Sequence, residues 1–130
     1  EIFFRGYWCL FGGLIEPRET PQEAAKRELI EELDLPLISI APLFDICLNR
    51  DAFGDGNSRN RHYFVSKITT NVLRSLKSKE GLGQKLFSRN DMPPLDQIVP
   101  WDAAALGFFF AKLDPSKRMY PQTSRGKVEP

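Results

Sequence analysis

Between residues 20 and 35 the apolar positions Ala25, Leu29, Ile30 and Leu33 recur at helical spacing, which predicts a helix with one side packed on a core. Its start is well marked. Thr20 can cap the first turn, Pro21 suits the first helical position, and Glu23 completes a capping box. Pro36 stops the helix near Leu33 or Asp34. Two strand-like runs follow: residues 37–48 are apolar and β-branched, and residues 62–68 carry Tyr, Phe, Val and Ile. The polar, Gly-rich stretch 49–60 between them predicts a long exposed loop. A short strand at residues 85–87 is expected after the turn Gly81-Leu82-Gly83. A last helix is expected over residues 101–112, opened by Pro100 and filled with Ala, Leu and Phe.

These elements do not alternate strictly, so they argue for an α/β or α+β fold in which helices pack on a mixed sheet. Residues 1–113 read as a single domain, and residues 114–130, without apolar periodicity, as a weakly ordered tail. The chain opens on Glu1 and enters a strand-like run at residues 6–11 almost at once, which suggests an incomplete copy of a longer chain with its N-terminal strand cut short.

Composition narrows the function classes. The chain has 130 residues, 42% hydrophobic and 27% charged, with a net charge of +1, the profile of one globular domain. So balanced a charge gives no strong field for nucleic-acid polymers or membrane surfaces, and no apolar run reaches the roughly 20 residues needed to span a bilayer. Cys9 and Cys47 lack any metal-like spacing and read as reduced core residues of a cytoplasmic protein. His62, the single histidine, excludes zinc sites built on several histidines and reads as a partly buried strand residue.

Chemistry concentrates between Gly12 and Leu35. Glu28, Glu31 and Glu32 stand at i, i+3 and i+4 on the first helix and fall within one arc of its surface. Like charges so spaced oppose a helix by about 0.2–0.5 kcal/mol per pair, so they need compensating charge. Arg27 supplies some. A hard divalent cation would supply more, since carboxylate oxygens are its preferred ligands. Glu19 precedes the helix cap, and Gly12-Gly13 allow a tight turn that brings backbone close to a metal or substrate.

Gly13, Glu19 and the run Arg27-Glu28-Leu29-Ile30-Glu31-Glu32-Leu33-Asp34-Leu35 resemble the Nudix box, Gly-x5-Glu-x7-Arg-Glu-U-x-Glu-Glu-x-Gly-U, where U is a bulky aliphatic residue. Eight of the nine fixed positions match. At ordinary residue frequencies the chance of that is on the order of one in 10⁸ per starting position, which sets aside a merely solvated acidic helix face. The departures are Asp34 where the family has glycine, Arg18 where it often has glycine, and Phe11 where it often has proline. Asp can take the left-handed conformation that glycine supplies at a helix end, at some cost.

The resemblance implies an α/β/α sandwich with a mixed sheet between helices, and a pyrophosphohydrolase dependent on Mg2+, or on Mn2+ in its place. Glu28, Glu31, Glu32 and the carbonyl of Gly12 would hold the metal, and Glu19 and Arg27 would orient the helix. A glutamate would act as general base: Glu31, Glu32 or, by likeness to a loop glutamate of MutT-like members, Glu80 in Glu80-Gly81, which reads equally well as a solvated loop charge. Trp101 and Asp102 stand where nucleotide-sanitising relatives contact the base. Asp102 reads more readily as a cap for the last helix, with Trp101 packed beneath it. The loop 51–57 has acids and glycines but not calcium-binding spacing, and reads as a substrate-side loop. The implied substrate is a small nucleotide derivative, either a nucleoside triphosphate, oxidised or not, or a nucleotide sugar. A silent nucleotide sensor is the alternative, disfavoured by the intact glutamates, and a homodimer stays open.

Overall fold

The computed structural model of the chain describes residues 4–35, 39–49, 56–77 and 83–113. Helix α1, Pro21–Leu33, begins as the sequence predicts. The Glu23 amide donates to the Thr20 hydroxyl at 3.2 Å and the Thr20 amide to the Glu23 carboxylate at 2.8 Å, so both free N–H groups are satisfied. At the other end Asp34 adopts the left-handed conformation, φ 56° and ψ 27°, which turns the chain and buries Leu35. Arg18 has φ 73°, and among the described residues it and Asp34 are the two non-glycines with positive φ. Both sit where the resemblance supplies glycine. Replacing Asp34 with Gly should therefore raise stability by up to about 1 kcal/mol with turnover unchanged, measured by denaturant unfolding. A loss of stability would mean that contacts of the Asp34 side chain outweigh the backbone cost.

The buried side of α1 differs from the predicted stripe. Ala24 and Leu33 are buried, Ala25 and Leu29 half-buried, and Ile30 exposed. Nine positions of about 100° put Ala24 and Leu33 half a turn out of phase, so the helix is covered on different sides at its two ends.

Strands β1, Ile40–Leu48, and β2, Arg59–Ser66, form an antiparallel pair with register running from Ile40 opposite Ser66 to Leu48 opposite Arg59. The register slips between Pro42 and Phe44, a fitting place for a proline that has no N–H to give to a ladder. Strand β2 starts three residues before the predicted run, because pairing with Cys47 and Leu48 recruits the polar Arg59 and Asn60. His62 lies on β2, half-buried, its Nδ1 2.8 Å from the Asp45 carboxylate across the sheet.

A short helix α2, Thr70–Ser75, follows, capped by the Thr69 hydroxyl. The predicted strand at 85–87 is absent: residues 83–88 have no regular structure, and Phe87 instead meets Trp8 edge-on at 4.9 Å. Single 3-10 turns at Arg89–Asp91 and Leu95–Gln97 lead into α3, Pro100–Leu113. Both α1 and α3 contact the β1–β2 pair, α3 through Phe108 on Phe44 of β1.

The strand-like run near the start is reduced to one parallel bridge, Trp8 to Ile98. With its helices and small antiparallel sheet, the architecture is α/β. Both cysteines are free and, against expectation, exposed: Cys47 faces outward on β1, and Cys9 lies in a segment whose Tyr7, Trp8, Leu10 and Phe11 are exposed as well. No helix among the described residues is long and apolar enough to cross a membrane. Residues 114–130 and most of the loop 51–57 lie outside the described residues.

Candidate functional site

Arg27 organises the acidic end of the site. Its Nε and Nη2 grip the two oxygens of Glu19 at 2.9 and 3.0 Å, a two-pronged pairing that suits the planar guanidinium. Nη1 donates to Glu28 at 2.8 Å and Glu31 at 3.1 Å, and Nη2 also reaches the Leu14 carbonyl at 2.9 Å. All five N–H groups of the side chain are thereby used. One residue thus ties the loop at Leu14, the turn at Glu19 and two helix carboxylates into a single knot. Glu19 also accepts the Glu16 amide at 3.0 Å, and these bonds, that from Arg27 foremost, hold its carboxyl below the usual range. The same pairing, with Glu19 first and Glu28 next, pushes the Arg27 guanidinium well above its ordinary pKa, so its charge is permanent.

Glu28 is mostly enclosed, with its side chain 16% exposed, whereas that of Glu31 is 57% exposed; Glu32 is half-buried. The enclosure of Glu28 comes from Gly13. A Cβ added at Gly13 would overlap the Glu28 carboxylate, so only glycine lets this stretch of backbone lie against it. Gly12, beside it, has φ 154°, a conformation that also favours glycine.

Among the described residues no three acidic, histidine or cysteine side chains form a ready-made metal cage. The donor set nevertheless fits a hard divalent ion in kind, because carboxylate and backbone oxygens are what Mg2+ takes. The cradle at Gly13 also leaves one of those carboxylates open to backbone rather than covered by a side chain.

A second cluster centres on Asp102, which is buried at 7% exposure. It does not cap α3. Its Oδ2 accepts the Leu10 amide at 2.9 Å and its Oδ1 accepts the Tyr63 hydroxyl at 2.8 Å. The reason lies in the bridge between Trp8 and Ile98. The Trp8 amide donates to the Gln97 carbonyl and the Val99 amide to the Trp8 carbonyl, both at 2.9 Å. A parallel ladder would next pair Leu10 with the carbonyl of Val99. That carbonyl is already taken by the Asp102 and Ala103 amides in the first turn of α3. The Asp102 side chain supplies the acceptor that the helix removed.

Burial pushes the Asp102 carboxyl up, and the bonds from Leu10 and Tyr63 pull against it. Burial, then the charge of Asp102, pushes the Tyr63 phenol up as well, so it stays protonated and donates. Trp101, half-buried, packs edge-on to Phe4 at 5.1 Å, and the Arg61 guanidinium stacks over its ring at 3.9 Å.

The structure therefore brings Gly13, Glu19, Arg27, Glu28 and Glu31 together, with Glu32 on the same helix. It gathers Trp101 and Asp102 with Tyr63, Arg61 and Leu10, residues that sequence reasoning did not single out. Tyr63 and Arg61 had a faint signal, alternate positions of one strand carrying polar groups. The Leu10 amide had none, because a backbone group leaves no mark in sequence. Cys9 was missed too. Although the residue is exposed overall, partial enclosure of its thiol raises the pKa, with the charges of Asp102 and Glu32 adding to it. Glu80 and Gly81 lie outside the described residues.

No curated protein and no solved structure gives a significant match to the chain. The NUDIX domain family does match, over residues 1–106, a span that takes in the α1 knot and the Asp102 cluster alike. With 106 of its 130 residues so matched, the chain belongs to the Nudix family, whose members in general are pyrophosphohydrolases.

Proposed function

We propose that the chain is a divalent-metal-dependent hydrolase of the diphosphate linkage in a small nucleotide derivative, a nucleoside triphosphate or a nucleotide sugar. The observation that carries this is the Arg27 knot, which ties Glu28 and Glu31 to one guanidinium, with Glu28 against the Gly13 backbone, in a member of this family. Glu28, Glu31, Glu32 and the Gly12 carbonyl would hold Mg2+, or Mn2+ in its place. The ion would supply charge neutralisation at the diphosphate and polarisation of its P–O bonds.

The chain's own groups do the rest. Arg27 keeps the carboxylates where their charge is needed, at no cost of rearrangement during reaction. One glutamate among Glu31, Glu32 and Glu80 takes the proton from the water that attacks phosphorus, and the bond from phosphorus to the leaving phosphate oxygen breaks. Trp101, with the Arg61 guanidinium stacked over one face of its ring, stands on the side of the site given to the substrate's base. Asp102 serves the substrate side through the residues it holds, Leu10 and Tyr63.

The test is release of phosphate monoesters or pyrophosphate, read by chromatographic separation of the products, across nucleoside triphosphates, sugar nucleotides and dinucleotides, with Mg2+, with Mn2+ and with chelator. Release from at least one class with metal and none with chelator is expected. Nucleotide binding without turnover of any class under any metal would sink the proposal in favour of a sensor.

A further inference from the structure

The Leu10–Asp102 bond does more than finish a ladder, because Leu10 stands two residues before Gly12 and three before Gly13. The contact between Gly13 and Glu28 leaves no room for a Cβ, so it depends closely on where the incoming chain runs. That incoming chain is fixed at Trp8 by the Gln97 carbonyl and the Val99 amide, and at Leu10 by Asp102. Tyr63 bonds the other oxygen of the same carboxylate and so fixes its orientation.

We propose that Asp102 is a positioning residue for the carboxylate site: through the Leu10 amide it holds the chain entering Gly12-Gly13, and so keeps Gly13 seated against Glu28. Tyr63 is its partner in this role. The metal-facing part of the proposal rests on the hydrolase reading above.

Two substitutions of similar volume separate the possibilities. In Asp102→Asn the amide oxygen can accept Leu10 while the amide nitrogen donates to the Tyr63 oxygen, so both links survive without the charge. Asp102→Leu keeps the shape and loses both links. Amide hydrogen exchange of the full chain without metal reads the first step. Leu10 should exchange about tenfold faster or more in the Leu variant and within about threefold of wild type in the Asn variant, and the amide chemical shifts of Gly12 and Gly13 should move in the Leu variant alone. Thermal stabilisation by Mg2+ alone reads the second step: the concentration giving half the effect should rise about tenfold in the Leu variant and stay within about threefold in the Asn variant.

A purely structural residue would lower the melting temperature and leave the magnesium half-point where it was; that result overturns the proposal, as does unchanged exchange at Leu10. Should wild type show no response to Mg2+, the metal reading is what has failed, and the amide chemical shifts of Gly12 and Gly13 decide the positioning claim by themselves: displaced shifts in the Leu variant sustain it, and unchanged shifts overturn it. Should the Leu variant not fold, Tyr63→Phe takes its place. It frees one carboxylate oxygen and should speed Leu10 exchange about threefold, with no change counting against the proposal.

Discussion

Replacing Glu32 with Gln is expected to lower kcat by about 10²-fold or more, the size of effect that loss of an acid–base group produces. The substitution keeps volume and shape and removes only the charge, which is what a hard cation needs from a carboxylate and what a proton acceptor needs at neutral pH. Glu32 stands one helical turn beyond Glu28, half-buried on the acidic side of α1. Gln at this position costs little helix propensity, so the fold should be unaffected. Comparison with Glu31→Gln sharpens the result. The Glu31 side chain is 57% exposed and tied to Arg27, so its loss should reduce turnover less than that of Glu32. Metal titration and steady-state kinetics on both variants give the answer. A Glu32→Gln protein with wild-type metal affinity and turnover would remove Glu32 from the site.

The second large effect is expected from Arg27→Lys. Both side chains are cations, but the ammonium has three donors on one nitrogen, against five spread over a plane. It cannot grip both oxygens of Glu19 while also reaching Glu28, Glu31 and the Leu14 carbonyl, the five bonds that Arg27 makes. Freed from those bonds, the turn at Glu19 and the loop at Leu14 lose their link to the helix, and the two carboxylates drift from their places. Misplacement on the scale of 1 Å is enough to cost about 10²-fold in turnover. A drop of tenfold to a hundredfold in kcat, with a lower melting temperature, is therefore expected. Glu19→Gln should act in the same direction, and the double variant should be scarcely worse than Arg27→Lys alone, since both break one network. Additive losses, or a Lys variant as active as wild type, would show that the knot does not set the site.

The parts of the molecule that proved legible in sequence are those governed by neighbours along the chain. Helix α1 could be read from Thr20, Pro21 and Glu23 at one end and from the glycine-like Asp34 at the other, because caps act within one turn. The span of α3 followed from Pro100 and the apolar run behind it. Reading failed where distant partners decide. Strand β2 begins at Arg59 because β1 is there to pair with it, although the residues Arg59, Asn60 and Arg61 carry no local strand signal. Apolar character alone suggested buried cysteines, yet burial depends on what lies opposite, and at Cys9 and Cys47 too little does.

The site divides in the same way. Gly13, Glu19, Arg27 and the glutamates sit within 23 consecutive residues, so their spacing showed in the sequence. Asp102 looked like a cap because a capping residue and a ladder acceptor carry the same carboxylate. Only its partners, Leu10 and Tyr63, tell the two apart.

The bond from Leu10 to Asp102 joins residues 92 positions apart. Closing so long a loop costs only slightly more than closing one half its length, about 0.6 kcal/mol, so the expense is tolerable at equilibrium. In time it matters more. As the chain leaves the ribosome, the acidic helix can form early from its own caps, while the segment carrying Tyr7, Trp8 and Phe11 has to wait for the start of α3 before it has anywhere to dock. Until then the glycine corner has no fixed position beside Glu28, and a nascent chain carries the glutamates without the frame that makes them a site. Competence arrives late, with the residues from Gln97 to Asp102.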